Sequence, residues 1–96
     1  MSKKTKQITD SSGNVFADLG FEQAEAENLL VRSKLMAAIK AYIESEGITQ
    51  GKAAERFDVA QPRISEIYQT KIELFSVDEL INMLARVGRH IEVNDL

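Results

Sequence analysis

The chain has 96 residues, 44% of them hydrophobic and 28% charged, with a formal net charge of −3 and no cysteine. Disulfides and thiolate metal sites are thereby excluded, no run approaches the roughly 20 apolar residues of a membrane span, and the length suits one small core. Net acidity argues superficially against a polyanionic partner, but the distribution of charge matters more than its sum. Lys3, Lys4 and Lys6 against Asp10 make residues 1–15 positive, and Lys52, Arg56, Arg63 and Lys71 against Glu55, Asp58 and Glu66 do the same for 47–71. The segments between and after these two are acidic.

Residues 1–12 are rich in Lys, Ser and Thr without periodicity, which predicts a disordered basic arm. No apolar run follows the lysines, so the arm does not read as a signal peptide, and a cytoplasmic location is the simplest expectation. Residues 13–96 are read as a single domain. It begins with a compact apolar cluster around a turn, NVFADLGF at 14–21. That cluster either folds back onto the following helix or awaits a partner.

A helix is predicted from about Glu22 to Ser45, stopping before Gly47. Leu35, Ile39, Tyr42 and Ile43 form one stripe, while Leu29, Leu30, Met36 and Ala37 occupy other angles. The apolar arc is thus wider than the usual ~100° and implies a second surface to bury, against the N-terminal cluster or another chain.

Thr49 is placed to cap a second helix, Gln50 to Phe57. Asp58 takes the turn after it, where glycine is commoner but Asp tolerates the left-handed conformation. Pro62 suits the first turn of a third helix, where its missing N–H costs little. Ala54 is small where the two helices cross, Val59 follows the turn, and Ile64 and Ile67 point inward three apart. Gln61, Arg63, Glu66, Tyr68 and Gln69 are left facing outward, and amides with an arginine are what base-edge reading requires.

Further on, Ser76-Val77-Asp78-Glu79 has the form of a capping box. It opens a fourth helix to about Val87, with Leu80, Leu84 and Val87 inward and Gly88 as its end. His90-Ile91-Glu92-Val93 alternates like a short strand. Ile91 and Val93 would then pair with their copies in a second subunit, the alternative being a disordered tail. The expected fold class is all-α, a small helical bundle with a central helix-turn-helix, with or without that C-terminal dimerisation strand.

The stretch TQGKAAERFDVAQPRISEI, with glutamine at the start of both motif helices, resembles the Xre-type, phage-repressor-like helix-turn-helix family. Upstream, SSGNVFADLGF followed by a long helix is similar to the HigA-like branch of antitoxins and regulators. The resemblance covers about residues 11–93, with Asp58 in place of the usual glycine as a departure. It implies a homodimer whose third helices enter successive major grooves of a pseudo-palindromic double-stranded DNA operator. By position, Gln61, Arg63 and Glu66 would face bases. Thr49 and Gln50 would hold a phosphate at the positive end of the second helix. Lys52, Tyr68, Gln69 and Lys71 would contact the backbone.

The antitoxin branch also implies a second partner, a small ribonuclease-type toxin. Spare apolar surface at Val15, Phe16, Leu19, Phe21, Leu29 and Leu30, with the chain's acidity, could meet a basic enzyme. A stand-alone repressor would use the same surface for its core or dimer, and a protein-interaction module without DNA is the third reading.

Plainer roles compete with several of these assignments. Arg63 and Glu66 could be a solvated ion pair, Gln50 and Gln61 ordinary surface residues, and the lysines a solubilising tail. His90, the only histidine, lacks partners for metal binding or catalysis and reads as structural or exposed. The sequence shows no Gly-rich phosphate loop, no metal-ligand spacing and no nucleophile beside a base. Glu22, Glu25 and Glu27 complement a helix dipole. No enzymatic activity, cofactor or metal is expected.

Overall fold

The computed structural model describes residues 14–91. They form α1 (Val15–Asp18), α2 (Gln23–Glu46), α3 (Gln50–Phe57), α4 (Gln61–Tyr68), a 3₁₀ turn (Ile72–Leu74) and α5 (Val77–Arg86). Within the span read as one domain, the chain divides into two compact units, one reaching to Leu30 and the other beginning at Val31. Helix α2 contributes to both.

The first unit is organised by Asn14, which is buried. Its side-chain oxygen accepts from the N–H groups of Phe16, at 3.0 Å, and Ala17, at 3.3 Å. Two of the orphan donors of α1 are satisfied in this way. The Asn14 amide in turn donates to Glu27 at 3.4 Å, so the N-terminal cluster does fold back onto the start of α2. Phe16 and Phe21 meet edge to face, 6.2 Å between centroids, and Ala26 and Leu29 are buried. Glu22 accepts from the Glu25 N–H at 3.1 Å, one of the free donors at the start of α2.

The second unit is the helix-turn-helix body. Leu35, Met36, Ile39, Tyr42 and Ile43 from α2 meet Ala53, Ala54 and Phe57 from α3, and Ile64 and Ile67 from α4. Phe75 and, from α5, Leu80, Met83 and Leu84 close the core. Ala37 is exposed, so the wide apolar arc read along α2 is filled by Met36 in this unit and by Ala26 and Leu29 in the other.

The punctuation follows the sequence closely. Gly47 ends α2 with φ +64°, and the Ile48 N–H returns to the Ile43 carbonyl at 3.4 Å. Thr49 Oγ1 accepts from the Lys52 N–H at 3.1 Å and caps α3. Asp58 adopts the left-handed conformation, φ 59° and ψ 51°, while the Val59 N–H bonds the Ala54 carbonyl at 3.0 Å. Ser76 caps α5 by accepting from the Glu79 N–H at 3.1 Å. The reciprocal arm of a capping box is diverted, because the Glu79 carboxylate pairs with Arg63.

The expected strand at 90–93 is not supported over the two of its residues, 90 and 91, that the structure describes. Among the described residues there is no strand. After α5 the Arg89 N–H bonds the Leu84 carbonyl at 3.0 Å, and Gly88 has φ +79°. That reversal leaves Ile91 half-buried against the core of its own chain. Val93, like the expected basic arm at 1–12, lies outside the described residues. His90 is exposed.

Thr70 is a second non-glycine residue with positive φ, 56°, where α4 gives way to the 3₁₀ turn. A β-branched side chain there costs about 1–2 kcal/mol, against about 0.5–1 kcal/mol of added backbone entropy for a glycine. Thr70→Gly is therefore expected to raise stability by roughly 0.5–1 kcal/mol in urea or thermal unfolding. A lower midpoint would show that the Thr70 side chain makes contacts that outweigh the strain.

Candidate nucleic-acid interface

The turn between α3 and α4 brings the starts of the two helices together. Ser65, one turn into α4, donates its hydroxyl to Gln50 Oε1 at 3.0 Å. The amide of Gln61 lies over the first turn of α3, so that a Cβ placed on Gly51 would meet Gln61 Oε1 at 3.6 Å. Thr49, Gln50, Gly51, Gln61 and Ser65 thus form one continuous polar edge. The free N–H groups at the start of α3, with the positive end of its dipole, favour an anion there.

Along α4 the same edge continues as an open concavity of about 470 Å³ lined by Gln61, Pro62, Ser65, Glu66, Gln69 and Lys71. Gln61, Gln69 and Lys71 are exposed, and Glu66 is half-buried. The lining is a row of amide, hydroxyl, carboxylate and ammonium groups. Such a set offers both donors and acceptors to the edges of bases.

Two of the residues expected on this edge sit elsewhere. Arg63 points away from the concavity. Its Nη1 donates to Glu66 at 2.8 Å and its Nη2 to the Leu74 carbonyl at 3.2 Å and to the Glu79 carboxylate. The guanidinium carbon also lies over the Phe75 ring, 4.0 Å from its centroid. Burial alone would lower the pKa of this guanidinium, but the bonds from Glu79 and Glu66 outweigh it and hold it above the usual arginine value. Tyr68 is half-buried against the core, with the Lys40 ammonium 5.9 Å from its ring. Burial, and then the charge of Glu44, raise its phenol above the ordinary tyrosine value, so it remains neutral.

Lys52 is exposed and pairs with Glu55 at 3.4 Å. On the far end of α3, Arg56 donates to Glu46 at 2.8 Å and to the Tyr42 hydroxyl at 3.1 Å. Arg86 donates to the Phe57 carbonyl at 3.4 Å and so supports the end of α3. Sequence reasoning missed Ser65 and Gly51 as parts of the edge. The spacing from Gln50 to Ser65 held no pattern that would have joined them, because the bond crosses the turn.

A family of helix-turn-helix domains matches the chain over residues 15–94. A solved structure described as an XRE-family transcriptional regulator is similar to it, with 31% sequence identity and a TM-score of 0.67, over 71% of this chain and 76% of the other. No curated protein matches. The extent of these two likenesses, joined to two short helices held by an apolar core, shows that the chain belongs to the XRE-type helix-turn-helix family.

Proposed function

We propose that the protein is a sequence-specific DNA-binding transcriptional regulator that presents α4 to the major groove. The observation that carries this reading is the polar edge at Thr49, Gln50, Gln61, Ser65, Glu66, Gln69 and Lys71, continuous over two helix starts and free of large apolar side chains. The similar solved structure is described as an XRE-family transcriptional regulator, which agrees with it. Gln61 and Glu66 are the base-facing residues. Thr49, Gln50, Lys52, Gln69 and Lys71 hold the phosphodiester backbone, with Tyr68 behind them. A homodimer on a pseudo-palindromic operator would double a contact set that carries little positive charge in one subunit.

Within that function, the HigA-like antitoxin role is the finer reading. It is supported by apolar surface in the first unit, where Val15, Leu19 and Phe21 are 55%, 69% and 42% exposed. Phe16 and Leu30 are half-buried beside them, whereas Leu29 is buried and drops out of the partner surface. Asp18, Glu22 and Glu25 lie in the same segment and suit a basic ribonuclease-type toxin.

Binding measured on an enriched duplex and on random DNA separates the roles. Gln61→Ala is expected to cost about 1–3 kcal/mol on the enriched duplex alone. Lys71→Ala should weaken both alike and lower the slope of log K against log salt by about one. Equal losses on both duplexes from Gln61→Ala would contradict the base-facing assignment. Weak binding with a flat salt response would favour a protein-interaction module.

For the second partner, Val15→Asp with Leu19→Asp should abolish recovery of a stoichiometric small basic protein from the native cells while leaving DNA affinity unchanged. Recovery of DNA and self-associated chain only, with the unaltered protein, would make it a stand-alone repressor.

A further inference from the structure

The recognition helix carries two charged side chains, Arg63 and Glu66, and the structure treats them in opposite ways. Each is 27% exposed, and they pair at 2.8 Å. Arg63 is held on several sides, with the Phe75 ring centroid 4.0 Å from its guanidinium carbon, the Leu74 carbonyl and the Glu79 carboxylate on one terminal nitrogen, and Glu66 on the other. A guanidinium reads guanine through a free fork of two N–H donors, and both terminal nitrogens of this one are engaged. Glu66, by contrast, lines the concavity that opens from α4.

A carboxylate on such a surface is repelled by phosphates and gains nothing from nonspecific binding. Held in place and partly neutralised, it becomes a selective acceptor. Cytosine presents an N4 amino donor in the major groove, guanine and thymine present acceptors there, and adenine places its N7 acceptor beside the N6 donor. A group that only accepts is therefore matched best by cytosine.

We propose that Glu66 selects cytosine at one base pair of the site, and that Arg63 is a positioning residue, anchored by Glu79, which fixes the Glu66 carboxylate for that contact. This rests on the DNA-binding reading above. Glu79 lies on α5 outside the concavity and pairs with Arg63, so a change in base preference at one position on its loss would be carried by Arg63.

The test is selection of sequences from a random duplex library by the full chain and by three folded variants, each checked by thermal unfolding. The unaltered protein should enrich a site with cytosine at one defined position. Glu66→Gln should move that preference to adenine, the base an amide pairs with. Arg63→Met, which keeps an apolar stem over Phe75, and Glu79→Gln should each flatten the same position by about tenfold and keep the rest of the site. Loss of a guanine at a different position in Arg63→Met would overturn the proposal and make Arg63 a direct reader. Uniform blurring of every position in Arg63→Met and Glu79→Gln would also overturn it, leaving the cluster as a support for α4 alone. If the unaltered chain enriches no sequence, the DNA-binding reading itself fails and this proposal falls with it.

Discussion

Burial of Ile64 and Ile67 on the inner side of α4 is the constraint on which the outer side depends. Both are fully buried, against Ala53, Ala54 and Phe57 of α3 and the side chains of α2 and α5. An eight-residue helix is too short to be stable in water by itself, so α4 exists because that apolar pair is covered. Truncating either isoleucine to alanine would cost about 2–5 kcal/mol, a large share of the ~5–15 kcal/mol available to a domain. The small residues Ala53 and Ala54 let α4 approach α3 closely enough for Ser65 to reach Gln50. The polar edge is therefore a consequence of packing beneath it.

Electrostatics then set what that edge does. The chain is acidic overall, and several cations near the motif are occupied within the fold: Arg56 by Glu46, Arg63 by Glu66 and Glu79, Lys52 by Glu55. The exposed Lys52 pair is screened and contributes little, so Lys52 can exchange its partner for a phosphate at small cost. Arg63 cannot do so without giving up Phe75, a carbonyl and two carboxylates. Nonspecific attraction to DNA from one chain should therefore be weak.

Much of this was legible in the sequence because it is written in local patterns. The caps at Thr49 and Ser76, the stop at Gly47, the left-handed turn at Asp58 and the buried pair at Ile64 and Ile67 each depend on residues within a few positions of one another. What escaped depends on contacts that no local pattern encodes. Arg63 looked outward by helical angle, but Phe75 and Glu79 lie 12 and 16 positions further on and draw it aside. Glu79 had a local role on offer in the capping box and takes a distant one. Asn14 looked like part of a turn and is the cap and anchor of the first unit. The alternation at 90–93 suggested a strand, whereas no strand forms among the described residues and Ile91, after the turn at Gly88, packs partly against the core of its own chain.

The central claim is that α4 and the start of α3 together form the DNA-binding edge. Titrating the isotopically labelled full chain with a duplex it has enriched, and following backbone amide resonances, tests this most directly. The account predicts the largest shifts at Thr49 to Lys52 and along Gln61 to Lys71, with little change in the first unit. Shifts concentrated between Val15 and Leu30 with α4 unchanged would contradict it.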